Sequence, residues 1–251
     1  MQFGLLPTAW VVADPSDYLR SYAGTYLREE VMQESLVRNL GGFKRFLESA
    51  SLSQAASLNM QAVATDCAVP RKTVETHFEL LEDLLLGVRL PIFTRRAARK
   101  LVAHPKFFYF DAGVYRAIRP RGPLDSPAEI DGAALETLVF QIIRATSANV
   151  GLDYDLFAWR TPTGADVDLV AYGPGGLHAF AVKRAHRCQE KDIEGLRLAC
   201  EDYPEARGHL LYGGDRHYAY GQIEVLPVEK ALMRLPELLG SAPTPAPDRL
   251  Q

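Results

Sequence analysis

The sequence predicts a mixed α/β protein: a helical N-terminal part that includes a winged helix, followed by a separate α/β domain. Three observations carry this. Apolar residues keep helical spacing through the first 85 residues, and two short β-rich segments around a basic stretch come next. A Pro-, Gly- and Asp-rich run from Gly122 to Asp131 then reads as a joint between domains. Beyond it the patterns run helix–strand–strand–strand–helix–strand, the order of an α/β unit. The expected division is a helical piece over 1–29, a winged helix over 30–121, a linker over 122–131, an α/β domain over 132–239 and a disordered Pro/Ala-rich tail over 240–251.

Each element has its local reason. In the stretch beginning "DPSDYLRSYAGTYLREEV", Tyr18, Tyr22, Tyr26 and Leu27 recur three or four apart, and Asp14-Pro15 is a helix start with proline tolerated in the first turn. Gly41-Gly42 interrupts the pattern before Phe43, Phe46 and Leu47 open another helix. Asn59 caps a short helix carrying Val63 and Ala64, a tight turn follows at Cys67-Ala68-Val69, and Pro70 opens a second helix with Val74, Phe78, Leu81 and Leu85 on one face. Two helices at that spacing form a helix-turn-helix. "LLLGVRLPIF" and "KFFYFDAGV" are the β-rich segments, and a hairpin after two helices makes a winged helix. In the second domain "AALETLVFQIIRATSANV" is a helix, "YDLFAWR" a strand, "GADVDLVAYGPGGLHAFAVKR" a hairpin, and "QEKDIEGLRLACEDYP" an amphipathic helix. "RGHLLYGG" and "GQIEVLPVEKALMRLPELL" supply two strands and a last helix.

Composition narrows the function. The net charge is -3 over 251 residues, which argues against a generally basic nucleic-acid binder. The charge is uneven: residues 1–125 hold 16 Lys/Arg against 13 Asp/Glu, and residues 126–251 hold 12 against 18. Nucleic-acid contact therefore belongs more naturally to the first half. Three cysteines give no disulfide framework, and Cys188, Cys200, His186 and His209 lack the CxxC or HxxxH spacing of a zinc site. There is no signal peptide and no run of the roughly 18–20 apolar residues that a membrane helix needs, so no membrane partner is expected and a reducing cytoplasm is the default compartment.

The hairpin holds the chemistry. Side chains alternate along a strand, so Asp166 and Asp168 are expected on one face, and Ala179, Ala181 and Lys183 on one face of the neighbour. An acid on one strand and a lysine on the next begin a PD-(D/E)XK nuclease core, often completed by a glutamate on the preceding helix. Glu136, Asp168 and Lys183 stand in those positions. Such carboxylates hold Mg²⁺ against the scissile phosphate, and the lysine orients or helps deprotonate the attacking water. The E-x-K tripeptide, however, reads Ala181-Val182-Lys183. A methyl group cannot ligate a metal, so Glu136, Asp166 and Asp168 are left as a weakened metal set, with Glu190, Asp192 or Glu194 as substitutes if one projects into the site. No cofactor is expected, with Mg²⁺ entering only if nuclease activity survives. The plain alternative is a pair of solvated strand-end acids and an exposed lysine.

From about Phe3 to Leu239 the chain resembles the C-terminal region of a prokaryotic AAA+ ATPase family. The matching stretches include "YLRSYAGTYLREEV", "FKRFLESAS", "TVETHFELLEDLLLGVRLPIF", "HPKFFYFDAGVYRA", "FAWRTPTGADVDLV", "AVKR" and "VLPVEKAL". In that family a P-loop ATPase domain precedes a winged helix and a PD-(D/E)XK nuclease-like domain of unknown function. No GxxxxGK[ST] occurs here, so ATP binding is not carried over, and "FGLLPTAWVVADPSDYL" looks like the junction just after such an ATPase. Where the family usually has E-V-D and E-V-K, this chain has Asp166-Val167-Asp168 and Ala181-Val182-Lys183. By position, Glu136, Asp168 and Lys183 are the remnant of the site, with Arg160 beside it as a phosphate contact. If the winged helix meets double-stranded DNA, Arg71 and Lys72 enter the major groove, while Arg95, Arg96, Arg99 and Lys100 grip phosphates; Glu75, Glu79, Glu82 and Asp83 on the same helix oppose this. The reading that results is a non-catalytic nucleic-acid-binding or regulatory module working with a separate AAA+ ATPase subunit. A Mg²⁺-dependent nuclease with a rearranged site and a protein-interaction module are the alternatives.

Overall fold

A computed structural model of the chain describes residues 2–26, 39–95, 97, 101, 104–123 and 125–240. It is a mixed α/β structure with a mainly helical N-terminal part and a large mixed sheet in the C-terminal part. Two compact units are present, one formed by residues 1–89 and 104–138, the other by 90–103 and 139–251. Among the described residues no helix is long and apolar enough to cross a membrane. Leu27, the tail beyond residue 240 and the basic residues Arg96, Arg99 and Lys100 lie outside the described residues.

In the first unit, α1 (Pro15–Ser21) starts at Asp14, whose carboxylate accepts the Asp17 N–H. α2 (Leu40–Ser51) is capped in the same way by Asn39. β1 (Ala56–Ser57) leads into α3 (Met60–Cys67), where the Asn59 side chain accepts the amides of Gln61 and Ala62, satisfying two orphan donors of the first turn. Ala68 ends α3 in the left-handed conformation, φ 52°, and turns the chain into α4 (Arg71–Asp83). α4 stops before Leu85, which takes φ 58° and points outward rather than continuing the apolar face. β2 (Gly87–Leu90) and β3 (Lys106–Tyr109) complete a small sheet of order β1-β3-β2. "DAGV" is not strand: Asp111 accepts the amides of Gly113 and Val114 and nucleates α5 (Ala112–Ile118). The core joins α2, α4 and β3 through edge-to-face rings, Phe46 to Phe78 at 4.9 Å and Phe78 to Phe107 at 5.0 Å. The segment read as a linker already turns helical at Pro127, the first residue of α6 (Pro127–Val150).

The second unit is built on six strands: β4 (Asp155–Arg160), β5 (Asp166–Gly173), β6 (Gly176–Lys183), β7 (Ala206–Tyr212), β8 (Tyr218–Tyr220) and β9 (Ile223–Pro227). Their order is β4-β5-β6-β7-β9-β8. β4, β5 and β6 run antiparallel; β6, β7 and β9 are mutually parallel, with α7 (Glu190–Asp202) joining β6 to β7 and β8, antiparallel to β9, leading from β7 to β9. α7 lays Ile193 and Leu196 against Ala179, Ala181 and Leu210. Two short helices, α8 (Val228–Met233) and α9 (Leu235–Gly240), stand where one was expected. Residues 91–93 belong to this unit: the Ala158 amide donates to Pro91 O and the Phe93 amide to Ala158 O, both at 2.8 Å, and the Phe93 ring is buried beside Phe157 and Tyr203.

Candidate functional site

The hairpin closes at Pro174-Gly175, between Gly173 and Gly176, and the charged residues gather at its open end. The register between β4 and β5 shifts there: Phe157 faces Val170 and Trp159 faces Val167, so Asp168 and Leu169 together oppose Ala158. This is a bulge on β5 at Asp168 and Leu169, after the Asp166-Val167-Asp168 run. The exposure of the two acids differs. Asp166 is exposed and lies across from Arg160, whereas Asp168 is 4% exposed.

The Asp168 carboxylate has a local partner. Its Oδ2 accepts the Val182 N–H at 2.8 Å, where the β5–β6 ladder ends after Leu169 and Phe180. The acid thus reaches the Ala181-Val182-Lys183 tripeptide through the backbone. Ala181 is itself core, 4% exposed and packed under α7, while Lys183 is half-buried beside Tyr212 in register. α7 approaches this end closely: a Cβ on Gly195 would lie 1.9 Å from the Asp166 carbonyl oxygen. A glycine in mid-helix was the signal for that approach.

Glu136 belongs to the first unit, and its Oε2 accepts from Lys106 Nζ at 2.8 Å, with both side chains largely buried. A carboxylate so desolvated needs its cation, and Lys106, thirty residues away in β3, was not among the sequence candidates. Of the substitute acids, Asp192 accepts the Gln189 N–H at 2.8 Å and so stabilises the start of α7, while Glu190 and Glu194 are exposed. Among the described residues no three His, Cys, Asp or Glu side chains converge as metal ligands. A divalent ion such as Mg²⁺ needs several hard oxygens in near-octahedral array. A buried acid bonded to an amide, an exposed acid and a core methyl do not fit it.

The helix-turn-helix presents Arg71 and Lys72 at the exposed start of α4. Arg71 Nε donates to Glu75 Oε1 at 3.1 Å, one turn on. Glu82 is engaged by Arg89, whose backbone amide donates at 2.8 Å and whose Nε donates at 2.9 Å, so two acids of this helix carry their own cations. Arg95 falls in the second unit, its guanidinium 4.7 Å from the Tyr172 ring centre and 4.0 Å from Asp155. Arg71 and Lys72 belong to the first unit.

A buried polar chain went unread in the sequence. His178 Nδ1 and His209 Nε2 are 3.2 Å apart, and His209 Nδ1 stands 3.5 Å from Glu224 Oε2, across β6, β7 and β9. Burial first, then the His209 and Arg207 charges, pull the His178 pKa down to about 3; the close approach of the His209 ring holds Glu224 below its ordinary range. Histidines at inward positions of apolar strands were the available signal.

Residues 1–125 match a family described as a domain of unknown function (DUF8612), and residues 131–231 match a second one (DUF4143). No curated protein and no solved structure matches the chain.

Proposed function

We propose that this chain, two adjoining domains each matching a family of unknown function, is a non-catalytic nucleic-acid-binding module that works with a AAA+ ATPase subunit. The observation that carries the non-catalytic half is the state of the hairpin: Asp168 holds the Val182 amide, and a buried methyl stands at Ala181 where a second carboxylate would ligate a metal. In support of a decayed nuclease fold is the run of α6, three antiparallel strands, α7 and a parallel strand, in the order read from the sequence. What supports DNA as partner is the paired helices α3 and α4 with Arg71 and Lys72 exposed at the start of the second. Association with an ATPase rests on the sequence resemblance and on the second matched family, usually found in AAA-ATPase-associated proteins.

Two assays test this. Gel shifts on a short duplex over a salt series should show binding that weakens steeply with salt, and Arg71→Gln/Lys72→Gln should reduce both affinity and salt slope. No shift at low salt overturns the nucleic-acid assignment in favour of a protein-interaction module. Plasmid incubated with Mg²⁺ or Mn²⁺ should stay intact; cutting by the wild type that Asp168→Asn abolishes would restore the nuclease reading.

A further inference from the structure

A polar cavity of about 350 Å³ opens in the first unit between the N-terminal segment, α1 and the last turn of α5, at the lower end of the roughly 300–1,000 Å³ typical of small-ligand sites. Arg20, Arg116, Arg119, Arg121 and Ser16 are among its lining residues, and among the described residues no Asp or Glu lines it. Three of these cations are matched by one acid each, all outside the cavity wall: Arg20 to Asp17 at 3.3 Å, Arg116 to Asp131, and Arg119 to Asp125 at 2.9 Å. Arg121 instead donates to the Arg116 carbonyl at 2.9 Å, and among the described residues no acid offsets its charge. A guanidinium carries five donors, so one carboxylate contact leaves the rest able to meet a ligand.

The like charges act together on their surroundings. Burial raises the Tyr115 phenol, and the guanidiniums of Arg119, Arg116 and Arg121 act the other way on it. Nothing can grow in to fill the space at Gly113, another lining residue, because a Cβ there would lie 2.4 Å from the Phe3 carbonyl oxygen. The wall is backbone at that point, and four arginines but no carboxylate belong to its lining among the described residues.

We propose that this cavity binds a small phosphate-bearing ligand of the phosphomonoester or diphosphate class through Arg20, Arg116, Arg119 and Arg121. Several arginines lining one volume suit a group with many acceptor oxygens and two or three negative charges, more than they suit a single carboxylate. The site is separate from Arg71 and Lys72, so it stands or falls independently of DNA binding at α4.

The test uses the full chain with inorganic pyrophosphate as probe, followed by calorimetry and thermal unfolding at constant ionic strength set with chloride. Saturable one-to-one binding is expected, with a rise in Tm that grows with probe concentration. Arg20→Gln/Arg121→Gln removes one exposed ion pair and one exposed hydrogen bond to the Arg116 carbonyl, and it should weaken binding by roughly tenfold or more. Arg71→Gln/Lys72→Gln should bind pyrophosphate as the wild type does. The proposal is overturned by non-saturable binding, by unchanged affinity in the Arg20/Arg121 variant, or by sulfate giving the same stabilisation at equal ionic strength. Displacement of pyrophosphate by a short DNA duplex would also overturn it, giving the arginines to nucleic acid.

Discussion

At the residue scale, Asp168 and Asp111 behave alike although only Asp168 was read from the sequence as a site residue. Both are buried, and both accept backbone amides: Asp168 that of Val182, Asp111 those of Leu5, Gly113 and Val114. Replacing such an acceptor strands an amide in the interior, which costs about 1–3 kcal/mol. Asp168→Ala should therefore lower the unfolding free energy by that amount in urea titrations, and Asp168→Asn, which keeps an acceptor oxygen, by less. An Asp168→Ala variant as stable as the wild type would mean the Val182 contact contributes nothing. Residue types and their order were legible at this site, including an alanine at 181 where the sequence resemblance expects an acid. The pairings were not: Lys106 reaches Glu136 across a fold that no local pattern encodes, and the amide held by Asp168 exists only because the β5–β6 ladder ends beside it.

At the element scale, local chemistry fixed what could be read. Asn59, Asp14 and the turn at Ala68 mark helix boundaries because a side-chain oxygen or a left-handed residue leaves a signature within four positions. The start of α5 was hidden by the apolar run "FFYF" that precedes it, and the three residues of β8 are too few for any periodicity. The bulge on β5 was equally invisible, since it depends on how β4 pairs. Close packing of α7 on β5 rests on Gly195. Gly195→Ala would drive a methyl into the Asp166 carbonyl oxygen, forcing helix and strand apart at a cost of about 1–3 kcal/mol. Thermal unfolding would register this as a lower Tm, whereas the same change at Gly132, which has open space around it, should be neutral or better.

At the scale of the whole molecule, acid sensitivity follows from the buried His178. His178 has an ordinary pKa of 6.5 once unfolded and about 3 when folded, so the unfolded chain binds the extra proton. Stability is fully present above pH 6.5 and falls as pH drops from there toward 3, by at most about 1.4 kcal/mol per pH unit from this residue. The depressed Glu224 acts in the same direction at lower pH. Urea titrations at pH 7 and pH 5 should show the loss, and His178→Phe should flatten the slope even though its absolute stability changes.

The path of residues 90–103 bears on how this protein can be taken apart. They lie within the first matched family, yet Phe93 packs beside Phe157, Tyr172 and Tyr203 of the second unit. A fragment begun at residue 131 would lack one of its own interior rings and leave the flank of β4 bare, so it should precipitate or melt early compared with one begun at residue 90. The sequence border and the packing border are offset, and exchanging halves between relatives at the former would transplant a splinter of one interior into the other.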